Sequence, residues 1–110
     1  MSDHEKTLGE LKERVEQFTQ SRQWGKAHSP KNLAMSIAIE AAELMEIFQW
    51  VESEEAWDYV KDEVIFEHLG EEMADIMIYC LSLANQLDID VSHIIEDKIV
   101  KNGQKYPLPD

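Results

Sequence analysis

Two long stretches of this chain are apolar around most of a helix circumference and carry their carboxylates on one narrow face. In the first, residues 36–50, Glu40 and Glu43 share that face with Ser36 at about 100° per residue. Most of the other residues are Ala, Ile, Leu, Met and Phe, and none is Gly or Pro, so the stretch favours a helix. A helix that is apolar nearly all round is usually buried.

The second stretch, residues 68–86, repeats this arrangement with Glu72 and Asp75 on its polar face. If the two helices pack antiparallel, these two carboxylates converge with Glu40 and Glu43. Four like charges in one place repel one another strongly. The simplest remedy is a hard divalent cation held by oxygen ligands, so the pattern predicts a metal site. The alternative is that the four acids are ordinary surface residues.

The ligand types narrow the choice of metal. Carboxylate oxygens suit magnesium, calcium or manganese. A di-iron bundle would need two Glu-x-x-His pairs, and the nearest approach here is Asp90-x-x-His93. Calcium loops of the EF-hand type are also absent. We therefore expect Mg²⁺, with Mn²⁺ as a substitute, and phosphoryl or nucleotidyl chemistry, because bound magnesium keeps positions open for water and phosphates.

Capping and helix-breaking residues predict an all-α fold, a bundle of about four to five helices. Thr7 with Glu10 forms a capping-box pattern, and Ser29 followed by Pro30 is a typical start for the second helix. The predicted helices, in order, cover residues 7–22, 30–51, 54–61, 62–87 and 91–102. Ser53 is predicted to cap the third helix, and a break near Asp62 separates it from the fourth. The fifth is predicted to begin after an Asp90 cap and to stop at Gly103.

Size and charge limit the partners. At 110 residues the chain is expected to be a single domain, 1–110. The net charge of -13 argues against a nucleic-acid polymer or an anionic membrane surface as a partner.

One cysteine, Cys80, and a polar N-terminus without an apolar leader fit a cytoplasmic protein. Two helices this apolar are more than so short a chain can cover, so we expect a homo-oligomer.

The chain has no glycine-rich phosphate loop, so phosphates would be held by metal ions and by basic side chains. Lys31, Lys98 and Lys105 are the candidates for this role. Four ring-bearing residues are candidates to stack on a base or to hydrogen-bond it: Trp24, His28, Trp50 and Tyr79. Taken singly, each of them is equally typical of a helical core or an exposed loop.

Several short motifs follow one another in a fixed order over nearly the whole chain. They are Arg22-Gln-Trp24, His28-x-Pro30-x-Asn32-Leu33, Glu40-Ala-Ala-Glu43-Leu, Phe48-Gln-Trp50, Glu71-Glu72-Met-Ala-Asp75-Ile-Met-Ile-Tyr79, Lys98-x-x-x-Asn102 and Lys105-Tyr106-Pro107. In order and spacing these motifs resemble the MazG-like all-α nucleoside triphosphate pyrophosphohydrolases. The similarity is to the small single-domain branch related to dCTP pyrophosphatases.

The resemblance implies a helical dimer, often paired into a dimer of dimers, with an active site built from several helices. It implies hydrolysis of a nucleoside triphosphate, dCTP or a modified deoxynucleotide among the candidates, between the α- and β-phosphates. The products would be a nucleoside monophosphate and pyrophosphate, in nucleotide-pool house-cleaning. By position, the magnesium ligands would be Glu40, Glu43, Glu72 and Asp75, with Glu43 also orienting or deprotonating the attacking water.

The resemblance also assigns the substrate contacts. The nucleotide pocket would be lined by Trp24, His28, Trp50 and Tyr79, while Lys98 and Asn102 would contact phosphate or the metal's shell. One position departs: the dCTP-specific relatives are expected to carry a His where this chain has Val15, one turn before Phe18. The resemblance therefore does not imply specificity for cytosine, and a broader or different base preference is possible. The alternative function is a non-catalytic helical module for nucleotide binding, oligomerisation or regulation.

Overall fold

The computed structural model describes residues 1–110 and contains α-helices and one 3₁₀ turn, with no strand. The helices are α1 Leu8–Ser21, α2 Pro30–Phe48, α3 Ala56–Tyr59, α4 Glu63–Leu87 and α5 Val91–Lys105, and the 3₁₀ turn Ser53–Glu55 leads into α3. The predicted all-α class and the number of helices are confirmed. None of these helices combines the length and the apolar character that crossing a membrane requires.

Four helices begin at a residue whose side-chain oxygen accepts a backbone N–H from the first turn of the helix. These caps are Thr7, Ser29, Asp62 and Asp90. Each satisfies one or two of the N–H groups that a helix start leaves without an intrahelical partner. The caps predicted from sequence, including the break near Asp62, are thus confirmed at both carboxylate-bearing helices.

The predicted Ser53 cap is wrong. The helical turn starts at Ser53 itself, and the preceding Glu52 occupies the cap position without a side-chain hydrogen bond. Because the backbone of Ser53 is already helical, its hydroxyl cannot take the position of a capping side chain.

The predicted stop at Gly103 is also wrong, because α5 continues to Lys105. The Tyr106 N–H donates to the Asn102 carbonyl at 2.8 Å and closes the last turn. Pro107 then disfavours a helical conformation for the residue before it, so the helix ends here rather than at the glycine.

α2 and α4 form the main packing unit, and α1 lies against α4. His28, just before α2, contacts Tyr79 of α4, and Ile47 near the end of α2 lines a cavity with Ile65 near the start of α4. The two helices therefore run antiparallel, which is the arrangement that convergence of the carboxylates requires. Leu33 of α2, only 1% exposed, lies at the centre of the small apolar core.

The single chain leaves much apolar surface uncovered. Only 5 of 110 residues are buried. α5 has no buried residue, and its Ile94, Ile95, Ile99 and Val100 are 47–61% exposed. The radius of gyration is 16.7 Å, whereas a compact chain of this length would have about 13 Å. The fold is thus open, with α5 making little contact with the α2–α4 pair.

Candidate metal and nucleotide site

Three carboxylates meet where α2 and α4 face each other. Glu40 and Glu43 lie one turn apart on α2, and Glu72 projects from α4, so that oxygens of all three lie within 4.8 Å of one another. The antiparallel packing thus brings together three of the four predicted metal ligands. Asp75 lies one turn further along α4, is exposed, and is not part of this close group. Its role as a fourth ligand stays a prediction.

The carboxyl groups of Glu40 and Glu72 shift each other's pKa in opposite directions. The close approach of the Glu72 carboxylate, then burial, then the proximity of Glu43 raise the pKa of Glu40 to about 7. The approach of Glu40, and after it Glu43 and His68, lowers the pKa of Glu72, while burial opposes this shift. Glu40 is therefore the carboxyl group of the pair that keeps its proton to higher pH, which is the usual response of carboxylates forced together.

Two oxygens of this group are buried without any hydrogen-bond partner, Glu40 Oε2 and Glu72 Oε2. A buried carboxylate oxygen without a partner is costly. A hard divalent cation bound among the carboxylates would neutralise their charge, and an all-carboxylate donor set is one that such a cation prefers. The residues present therefore fit a divalent metal ion.

A cavity of about 440 Å³ opens beside the carboxylates, between α2, α3 and α4. Its size is in the range of small-molecule sites. It is lined by Glu43, Glu46, Ile47, Tyr59, Ile65, His68 and Glu72. A larger surface hollow of about 680 Å³, near Val60 and Phe66, contains none of the predicted site residues, so the smaller cavity is the one with relevant chemistry.

Three of the four predicted base-binding rings lie in a row. The ring centroids of Trp24 and His28 are 5.5 Å apart, and those of His28 and Tyr79 are 6.1 Å apart. Gln23, with a φ of 56°, turns the chain sharply after α1, and the Trp24 N–H then donates to the Thr19 carbonyl. The Nδ1 atom of His28 is buried without a hydrogen-bond partner, which is unusual for a buried polar atom.

Neither the row of rings nor the remaining predicted substrate contacts line the cavity beside the carboxylates. Trp50, beyond the end of α2, is 88% exposed. Lys98, Asn102 and Lys105 lie on α5, are exposed, and do not line the cavity beside the carboxylates. Their roles as substrate contacts stay predictions.

Sequence reasoning did not single out His68 as a functional residue. Its Nε2 lies 3.3 Å from Glu72 Oε1, and its side chain forms part of the cavity wall. The available signal was its spacing: residues four apart on a helix are neighbours, and His68 precedes Glu72 by one turn on the polar face of α4.

The sequence model of the MazG-like family matches residues 35–110. The chain belongs to the MazG-like family. The matched region of this MazG-like protein includes all three clustered carboxylates and the whole of α5. The resemblance inferred from short motifs is thereby confirmed.

Related proteins agree with this assignment. The chain is 31% identical over 104 residues to dCTP pyrophosphatase 1 of Rattus norvegicus, and 30% identical over 103 residues to dCTP pyrophosphatase 1 of Homo sapiens. Each alignment covers 94% of this chain and 61% of the relative, so the chain spans less than two thirds of their length. A crystal structure of a pyrophosphatase from Archaeoglobus fulgidus superposes with a TM-score of 0.86 at 39% identity, covering 98% of this chain and 99% of the other.

Proposed function

We propose that this MazG-like protein is a Mg²⁺-dependent nucleoside triphosphate pyrophosphohydrolase, releasing a nucleoside monophosphate and pyrophosphate. The observation that carries the proposal is the group of three carboxylates with two buried, unpartnered oxygens beside a cavity of about 440 Å³. The names of the relatives, dCTP pyrophosphatase 1 and pyrophosphatase, support it. The 110 residues would act as one catalytic domain.

Glu40, Glu43 and Glu72 would hold the cation, with Asp75 as the predicted fourth ligand. When bound, Mg²⁺, or Mn²⁺ in its place, would neutralise the phosphates and favour attack by water. The choice of a hard cation follows from the carboxylate-only donor set.

Glu43 is the proposed catalytic residue. It belongs to the carboxylate group and also lines the cavity, so it can face both the cation and the reacting phosphate. We infer that it orients the attacking water and accepts its proton. The water oxygen bonds to the α-phosphorus, the bond from the α-phosphorus to the bridging oxygen breaks, and pyrophosphate leaves.

The row of rings formed by Trp24, His28 and Tyr79 would receive the base. Aromatic faces stack on any base, whereas the free Nδ1 of His28 can hydrogen-bond a particular base edge. dCTP and modified deoxynucleotides are the first candidates. Val15 of α1 cannot offer the polar base contact expected of cytosine-specific relatives, so we do not restrict the substrate to cytosine.

The active form would be a homodimer, with a dimer of dimers as the larger alternative. A second copy would cover the exposed apolar face of α5, which a monomer rarely presents to water. Dimerisation would also bring Lys98, Asn102, Lys105 and Trp50 to the substrate. With a net charge of -13, we propose no nucleic-acid polymer or membrane as partner, and a house-cleaning role in the cytoplasm.

The test is pyrophosphate release from a panel of ribo-, deoxyribo- and base-modified triphosphates, with Mg²⁺ and with EDTA. Glu43→Ala and Asp75→Ala should abolish Mg²⁺-dependent release while circular dichroism shows an intact helical fold. Glu13→Gln, an exposed acid on α1, is the matched control and should keep full activity. Nucleotide binding without release by the wild-type protein would overturn the enzymatic proposal and favour the binding-module alternative.

A further inference from the structure

We propose that His68 is a positioning residue, which holds one oxygen of Glu72 so that the other oxygen is presented to the cation. The inference rests on the proposed function, because it concerns the metal ligands of that site. It adds a residue of α4 that lies outside the four predicted ligands and acts on the metal through Glu72.

The two oxygens of Glu72 are in different environments. Oε1 is in contact with His68, whose Nε2 lies 3.3 Å away. Oε2 is buried and has no hydrogen-bond partner. A carboxylate with both oxygens free can rotate, whereas one oxygen held by an outer donor fixes the plane of the group. In this arrangement the contact with His68 would orient Glu72 and leave Oε2 to face the cation.

His68 is well placed to act from outside the site. Its side chain is 55% exposed, whereas that of Glu72 is 11% exposed, so the imidazole lies at the rim and the carboxylate lies inside. A neutral imidazole with its proton on Nε2 suffices as the donor.

No other basic side chain competes for this role. The four other ion pairs of the chain involve the N-terminus, Lys6, Lys61 and Lys101, and none of their partners belongs to the carboxylate group. The cavity lining contains no Lys or Arg. The negative charge of the carboxylates is therefore not neutralised by a Lys or Arg side chain. His68 is the basic side chain that contacts the group, through Glu72.

Removing a residue that holds a metal ligand without touching the metal itself typically weakens metal binding by about 10–100-fold. His68→Leu removes the donor but keeps a good helix former at a largely exposed position. His68→Gln keeps an N–H donor of similar reach. His4→Leu makes the same chemical change at an exposed histidine of the N-terminal segment and is the matched control.

The experiment measures Mn²⁺ binding to the nucleotide-free full chain by electron paramagnetic resonance, and then pyrophosphate release against Mg²⁺ concentration. We expect His68→Leu to weaken Mn²⁺ binding at least 10-fold, and His68→Gln and His4→Leu to stay within about 3-fold of wild type. We also expect saturating Mg²⁺ to restore the turnover of His68→Leu, with the nucleotide KM unchanged.

Wild-type affinity for Mn²⁺ in His68→Leu would overturn the inference and leave the proposed function intact. A raised nucleotide KM with unchanged Mn²⁺ affinity would also overturn it, because it would place His68 on the substrate. Failure of His68→Gln to recover affinity would exclude the hydrogen-bonding role. Absence of Mn²⁺ binding and of turnover in the wild-type protein would instead contradict the proposed function itself.

Discussion

Glu40→Gln should have opposite effects on the metal-free and the metal-bound protein. In the metal-free protein at pH 8, Glu40 is largely ionised because its pKa is about 7, and it then repels its neighbours. Glutamine has the same shape without the charge, and its amide can donate a hydrogen bond to Glu72. The substitution should therefore raise the free energy of unfolding in EDTA and reduce the stabilisation that Mg²⁺ provides.

The spacing of the oxygens sets the size of the first effect. Charges on Glu40 and Glu43 at the 4.8 Å limit repel by about 0.9 kcal/mol at the dielectric constant of water and about 3.5 kcal/mol at an effective value of about 20. Because both side chains are partly solvated, we expect a gain of about 1–2 kcal/mol. The wild-type protein at a metal concentration of 100 times Kd should gain about 2.7 kcal/mol, and Glu40→Gln much less.

The pH dependence of unfolding checks the sign of the stability change caused by Glu40→Gln. The folded-state pKa of Glu40 lies above its unfolded value of 4.5, so its contribution to stability is complete below that value and is lost as pH rises through about 7. The advantage of Glu40→Gln in EDTA should therefore be large at pH 8 and small at pH 5. The assay is urea unfolding followed by circular dichroism at fixed protein concentration, with Glu13→Gln as the control.

A metal-free Glu40→Gln protein that is less stable than wild type at pH 8 would refute the reasoning, because it would mean that the carboxylate stabilises the fold. An unchanged response to Mg²⁺ would refute the metal assignment. Both results can be interpreted without knowing the substrate, because they come from unfolding measurements alone.

Three further predictions concern other parts of the site. Mg²⁺ binding should displace the proton on Glu40, so the apparent affinity should rise from pH 6 to pH 8, and the calorimetric enthalpy should depend on the ionisation enthalpy of the buffer. Trp24→Ala should raise the nucleotide KM by roughly 10-fold, as the loss of one base-stacking face at about 1–3 kcal/mol predicts, while Mn²⁺ binding in the absence of nucleotide stays unchanged. Ile99→Glu on the 59% exposed face of α5 should convert the proposed dimer to a monomer in light scattering and abolish the proposed turnover, whereas Glu96→Gln on the same helix should do neither.

The helices and the carboxylate pairs were accessible from sequence because both depend on local spacing. Capping residues such as Thr7 and Asp62 satisfy N–H groups only a few residues away, so their signal lies within one turn. The pairing of Glu40 and Glu43 with Glu72 followed from one further assumption, antiparallel packing of α2 and α4. The errors at Ser53 and Gly103 were also local, since a 3₁₀ turn and a following proline shifted the ends of short elements.

The arrangement of the remaining site residues could not be predicted from the sequence, because it depends on how the helices pack against one another. Spacing alone placed Asp75 on the face of Glu72, but it could not show that its carboxylate lies outside the close group. The same limit applies to Lys98 on α5, a helix that makes little contact with the α2–α4 pair. His68 carried a signal in its spacing to Glu72, but only the 3.3 Å contact shows that the two side chains meet.

The measurement that tests the central claim most directly is ³¹P NMR of a deoxynucleoside triphosphate incubated with the protein in Mg²⁺ and, separately, in EDTA. We predict conversion to nucleoside monophosphate and pyrophosphate in Mg²⁺, no conversion in EDTA, and none with Glu43→Ala in either. Release of inorganic phosphate with a nucleoside diphosphate would contradict cleavage between the α- and β-phosphates. Equal turnover in EDTA would contradict the metal site proposed at Glu40, Glu43 and Glu72.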